Sequence, residues 1–302
     1  MREHGKRLCG IFLFLLFLFT ATESGPSRAE PFIPTLERVR QTETLRIGYG
    51  IAPPFSYVGP GGRVMGYSIE LCERVAYALR ARLGLKRINI EYVYRSPSNR
   101  VQLLNRGDID IECVASTNTA ERRRSVAFTR SYFLVTTYYV SLAKNKLRTL
   151  ADLRGKSVSI VLGTVNVGQI TLVNREKRLN LSITSADTLQ KAFDLVSQEK
   201  VSAFAMDDIL LHTLIAASPN PQDYALSTEP ISEPMPYGFM VRRGDDDFRE
   251  AVNTALRDIF RSDEMEDIYS RWFTQPLPGR GINLQLPMSD SLRALFLTAD
   301  SR

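Results

Sequence analysis

Apolar residues recur along this chain in two rhythms, every second position or every third and fourth, and the rhythms take turns. Alternation marks strands over 44–49 and 87–94. Between them Ile69, Val75, Ala76 and Leu79 carry helical spacing, which predicts a helix over 66–79 with Ser68 as its cap. A short helix over 99–107 closes on Gly107, and a buried strand over 108–113 follows it. The succession starts afresh after a short helix at 150–156. Strand 157–162, helix 167–174, strand 181–184, helix 188–198 and strand 201–206 follow, and the last runs into Asp207 and Asp208 at the start of a further helix. Helices over 246–262 and 265–273 and an amphipathic segment at 289–296 complete the pattern.

Strands separated by helices argue for largely parallel, doubly wound sheets. Two such runs predict two doubly wound α/β lobes joined by two crossing strands, with the extended pieces 134–141 and 236–241 as the crossings. The chain would leave lobe one, build lobe two and return. Lobe one then comprises 30–136 and 237–302, and lobe two 137–236.

The first residues stand outside this pattern. A basic start through Arg7 precedes a continuous apolar run over 11–21, too short to span a bilayer comfortably. It reads as a signal peptide over 1–29, cleaved after Ser24 or Ala29, with an uncleaved anchor as the alternative. Cys9 precedes the apolar run and is not placed to become a lipid-bearing terminus. Export permits disulfides, so a bridge between Cys72 and Cys113 is open, although sequence alone does not bring their Cα atoms together. The formal charge of +6 is spread along the chain without a basic stripe interleaved with aromatics, which argues against a nucleic-acid partner. The two histidines, His4 and His212, offer no metal pair, and no Gly-x-Ser-x-Gly accompanies His212. No metal, cofactor or catalytic residue is expected, and the chain is expected to be a monomer.

The stretch over 114–128 breaks a local rule. Ser116, Thr117, Asn118 and Thr119 suit the cap of a helix, yet Arg122, Arg123 and Arg124 would fill its first turn with only Glu121 to offset them. Cations at the positive end of a helix cost about 0.3–1 kcal/mol each, so an anion is expected there. Ligands of open α/β sheets bind beyond the carboxyl ends of the strands. Residues 51–57, 114–122 and 163–165 fall there, together with Asp207. A guanidinium on one wall and a carboxylate on the other match a zwitterionic amino acid. Arg122 would hold its carboxylate bidentately, Thr117 and Thr164 would donate, and Asp207 would accept from the ammonium.

Several short motifs, in order, strengthen this reading: Pro54 to Tyr57, Gly66 to Ser68, Ser98 to Arg100, Ile111 to Cys113, Ser116 to Asn118, and Glu121 with Arg122. Gly163 with Thr164, Met206 to Asp208, Tyr237 with Gly238, Trp272 with Phe273, and Ser289 to Phe296 continue the series. Together these resemble the periplasmic amino-acid-binding proteins of ATP-binding cassette importers (bacterial extracellular solute-binding protein family 3), closest to the glutamate/aspartate-binding branch. The resemblance implies a type II periplasmic-binding-protein-like fold, an L-amino acid in the cleft between lobes, and a membrane permease as partner.

It implies that Arg122 grips the α-carboxylate beside Thr117, that Asp207 takes the ammonium, and that Arg100 faces the ligand's side chain. Thr164, Ala115 and Ser116 would line the site, and Phe55 and Tyr57 would cover it. The chain departs from that branch at the end of its first strand, where Gly50, Ile51 and Ala52 replace an arginine-bearing segment. Leu189 stands for a histidine, and Pro97 and Ala115 for serines. These losses leave a neutral or smaller side chain open beside an acidic one. Phe239 replaces a cysteine of the branch, which favours pairing Cys113 with Cys72. The duller roles are a helix brace for Arg100, packing for Phe55 and Tyr57, a helix cap for Asp207, and hinge packing for Tyr237. Two alternative functions share the scaffold. One is an exported enzyme resembling cyclohexadienyl dehydratase, with Glu121 or Asp208 as its acid or base; the other is a ligand-sensing subunit of a membrane receptor.

Overall fold

The computed structural model describes residues 33–297; the expected signal peptide and both cleavage points lie outside them. The chain opens with α1 (Thr35–Thr42), β1 (Thr44–Tyr49), the hairpin β2 (Tyr57–Val58) and β3 (Val64–Met65), and α2 (Tyr67–Arg82). Then come β4 (Asn89–Tyr94), α3 (Arg100–Arg106), β5 (Ile111–Glu112) and the long β6 (Val126–Val135). Next are β7 (Thr137–Leu142), β8 (Ser157–Val161), α4 (Asn166–Glu176), β9 (Ser182–Ala186), α5 (Leu189–Ser197), β10 (Ala203–Asp207), α6 (Asp208–Ala216) and β11 (Tyr224–Leu226). Finally β12 (Met235–Arg242) leads into α7 (Asp246–Phe260), α8 (Glu264–Phe273) and α9 (Asp290–Leu297).

Among the described residues the strands form two five-stranded sheets and the small hairpin. The first sheet runs β4-β1-β5-β12-β6 and the second β11-β7-β10-β8-β9. In the first, β4, β1 and β5 are parallel, whereas β12 is antiparallel to both β5 and β6. In the second, β10, β8 and β9 are parallel and β7 is antiparallel. The sheets are therefore mixed: the strand that enters each sheet from the other, β12 in the first and β7 in the second, runs against the parallel core. The fold is a pair of α/β lobes, and β6 passes into β7 through the single residue Thr136. Met235 of β12 pairs with Val135 of β6, so the two passages run side by side.

The stretch over 114–128 does not open an α-helix. Residues Arg122–Arg124 make one 3-10 turn, and β6 begins at Val126. The β-branched and aromatic residues of β6 pair with β12, and that pairing outweighs the local capping signal. Ser68 does not cap α2 either; Gly66 occupies the N-cap, and the Ser68 hydroxyl donates to Val114 O at 2.6 Å. That bond and the Cys72–Cys113 disulfide, with Cα atoms 6.4 Å apart, tie α2 to the end of β5 and the loop beyond it.

Phe55 and Tyr57 do not cover a ligand site. Phe55 is fully buried, its ring centroid 5.0 Å from that of Phe133 and 5.4 Å from that of Tyr237. Tyr57 is also buried; its hydroxyl donates to Pro278 O at 2.8 Å, and Arg280 lies over its ring. Aromatic area is worth most when removed from water. Here the core and the C-terminal segment take both rings.

Candidate functional site

The loop after β5 and the start of α3 bring two arginines to the carboxyl end of the first sheet. Arg100 is buried, with Nη1 donating to Ser116 Oγ at 3.0 Å and Nη2 to Gly163 O at 2.6 Å. Arg122 is half-buried and donates from Nη1 to Thr117 O at 3.0 Å and from Nη2 to the same Gly163 O at 3.1 Å. Two guanidinium groups thus converge on one carbonyl oxygen, which comes from the end of β8 in the second sheet. Among the described residues neither group has a carboxylate partner.

Desolvation holds the Arg100 pKa well below its usual value, and the nearby positive charges of Arg122 and Arg95 push the same way. Arg122 is lowered chiefly by desolvation, with Glu112 and Asp207 opposing. Buried like charges without counterions are costly. This corner of the molecule is short of negative charge.

Arg95 is the residue that sequence reasoning missed. It is buried at the end of β4 and forms an ion pair with the fully buried Glu112 of β5. A Cβ on Gly50 would stand 3.2 Å from Arg95 Nη1, so the guanidinium lies against the end of β1. The resemblance expects an arginine on β1 at that place, and a neighbouring strand delivers one instead. The available signal was a cationic residue at the carboxyl end of a parallel strand.

Asp207 ends β10 and occupies the N-cap of α6, yet its side chain makes no cap hydrogen bond. It is buried and faces the other sheet. The Tyr237 hydroxyl of β12 donates to its Oδ2 through a short hydrogen bond, and Asn166 Nδ2 donates to Oδ1 at 2.8 Å. The Thr137 hydroxyl lies 3.1 Å from Oδ1 and 2.8 Å from Gln169 Oε1, with one proton for the two. Burial, reinforced by Asp207, raises the Tyr237 pKa well above its usual value, which keeps it a donor. Tyr237 is therefore more than hinge packing: it links β12 of the first sheet to β10 of the second. Asp208 does the local work instead, accepting from Ile209 N at 2.8 Å and Thr136 N at 3.4 Å.

The structure does not gather every expected residue into one cavity. A cavity of about 240 Å³ is lined by Arg100 and Ala115, and also by Ile51, Pro97 and Leu189. Arg122 and Thr164 line a wider groove of about 960 Å³ with Thr119, Glu121 and Gln169. The Gly163 carbonyl and the two guanidiniums stand between them. Ser116 and Thr117 are buried behind this contact, and the Thr164 hydroxyl donates to Val161 O. Gly163 has φ +79°, and a Cβ there would come within 2.5 Å of Pro97 O. Only glycine allows the approach. Among the described residues no group of three or more His, Cys, Asp or Glu could hold a metal ion.

Two α/β lobes that meet over converging guanidiniums and a buried acid are the framework of a ligand-capturing binding protein. The model for the bacterial extracellular solute-binding proteins, family 3, matches residues 45–275, and the chain belongs to that family. It is 34% identical over 281 residues to an L-glutamate/L-aspartate-binding protein of Pseudomonas aeruginosa, spanning 92% of this chain and 93% of the relative. A glutamate/aspartate import solute-binding protein of Escherichia coli is 28% identical, with 92% and 94% covered. Among solved structures, an ancestral arginine-binding protein bound to arginine superimposes with a TM-score of 0.69 at 27% identity, over 76% of this chain and 98% of that one. The curated relatives are transport binding proteins and not enzymes, and the chain is one of this kind.

Proposed function

We propose that this protein is exported, captures an acidic L-amino acid between its lobes, and delivers it to the permease of an ATP-binding cassette importer. The observation that carries the reading is the pair Arg100 and Arg122, two desolvated guanidiniums that share one carbonyl oxygen and have no carboxylate partner among the described residues. With Arg95, Glu112 and Asp207 the cluster holds three cations against two anions, and a ligand of net charge −1 balances it. Arg122 takes the α-carboxylate, Arg100 the side-chain carboxylate, and Asp207 the ammonium with its remaining acceptor capacity. Thr117, Ser116, Ala115 and Thr164 frame these contacts. The named relatives that bind glutamate and aspartate support the same ligand class.

In this reading lobe one comprises 30–136 and 237–302 and lobe two 137–236, supported by the passages between sheets at Thr136 and over 227–234. Ligand contacts to both lobes shift the population toward closed states, since the open ones lack half of the contacts. The protein acts as a monomer.

A thermal-shift screen of the mature chain over the twenty L-amino acids tests the assignment. Glutamate and aspartate should raise the unfolding midpoint in the manner of RT ln(1 + [L]/Kd), and neutral residues of similar size should not. A shift with neutral amino acids alone sinks the acidic assignment. Uptake of the labelled ligand, lost on deleting the gene and restored by it, tests delivery.

A further inference from the structure

The cavity beside Arg100 is larger and less polar than a short acidic side chain requires. Its first-lobe wall carries Ile51 and Pro97, and its second-lobe wall carries Leu189, Leu210 and Leu214. Several polar side chains along it are already committed. Arg95 pairs with Glu112, and the Thr213 hydroxyl donates to Ile209 O at 2.7 Å. The Thr188 hydroxyl accepts from Lys191 N, and Asp187 pairs with Lys191. Arg100 keeps spare N–H donors on this wall, because its five exceed the two bonds it makes, and Arg280, which lies over the Tyr57 ring, lines it as well. A ligand reaching in from Arg100 therefore meets a wall that is mostly hydrocarbon, with Arg95 and Arg280 as the other cations on it. The volume of about 240 Å³ exceeds the roughly 150 Å³ of an apolar cavity known to take up benzene.

We infer that this cavity is a subsite for an apolar substituent, up to the size of a phenyl ring, borne on the side chain of the acidic amino acid that Arg100 holds. This rests on the acidic reading proposed above and adds to it. Of the positions where the resemblance marks a departure from the glutamate/aspartate branch, Ile51, Pro97, Ala115 and Leu189 line this one cavity.

The test is calorimetric titration of the mature chain with L-aspartate, L-glutamate and L-threo-3-benzyloxyaspartate, which is aspartate with a benzyloxy group added on one side. The benzyl compound should bind about tenfold more tightly than aspartate, the gain expected from taking most of a phenyl ring out of water. Leu214→Trp, which fills the cavity, should erase that gain and leave aspartate within about threefold of its original affinity. Leu189→Asn, with the same number and branching of side-chain heavy atoms, should reduce the gain without filling the space. Unfolding midpoints measured without ligand show that both variants fold. Aspartate binding with no gain for the benzyl compound overturns the subsite and leaves the acidic reading standing. A gain that survives Leu214→Trp places the ring elsewhere and also overturns it. Failure of all three acids to bind a folded protein removes the acidic reading itself.

Discussion

The two walls that meet over Gly163 solve opposite electrostatic problems. On the second-sheet side, Asp207 is surrounded by donors: the Tyr237 hydroxyl, the Asn166 amide and the Thr137 hydroxyl. On the first-sheet side, Arg100 and Arg122 repel one another and share one neutral acceptor. A satisfied buried acid contributes to the folded state, whereas unmatched buried cations are a cost that a bound anion can relieve. The acidic wall should therefore support the fold as well as the ligand's ammonium, the cationic wall chiefly the ligand, and the two can be separated by experiment.

The largest effect is expected at Arg122. Arg122→Ala should weaken ligand binding by about 2–5 kcal/mol, because the ligand carboxylate loses its charged partner. Its unfolding free energy should change little, since an unmatched cation leaves with it. Calorimetry beside urea unfolding reads both, and binding that stays near the parent value breaks the comparison. Arg100→Met should cost acidic ligands about 1.5–3 kcal/mol, the range for hydrogen bonds to charged groups, and neutral ligands far less. Equal losses for both would return Arg100 to a bracing role.

Tyr237→Phe should reverse the order, lowering stability by about 1 kcal/mol through the donor removed from Asp207. An unfolding midpoint that does not move would show that the acidic wall carries no structural load. The smallest effect concerns Asp208, whose pKa burial raises from its ordinary value to about 6. The folded state then holds a proton more tightly than the unfolded chain, so stability falls as pH rises from about 4 to about 6 and levels off above. Asp208→Asn should flatten that segment of a midpoint-against-pH curve while Asn Oδ1 keeps both backbone donors. A curve with unchanged slope assigns the dependence to another group.

Much of the fold was legible because hydrophobic period is set by local geometry. The strand over 44–49 appears unchanged as β1, and the closing glycine at 107 adopts φ +77° at the end of α3. The stretch over 114–128 misled because its capping residues answer to the loop and to Arg100 and Arg122, while pairing with β12 makes a strand of the residues from Val126 onward. The contacts of Asp207 with Tyr237, Asn166 and Thr137 span separations of 30 to 70 residues, which no local pattern records. Phe55 and Tyr57 sat in a matching motif, yet their placement depends on the C-terminal segment that folds back over them. Arg95 was invisible for a related reason: its meaning lies in the empty Cα of Gly50 on the adjacent strand.

Gly163 sets how near the halves of the molecule can come, because its bare Cα rests against the backbone of Pro97. A single methyl group there would act as a shim, holding the jaws ajar while every charged group stayed in place. Such a protein would separate grip from closure. A dye pair placed across the gap would then report whether the cargo is sensed before the jaws meet or only after.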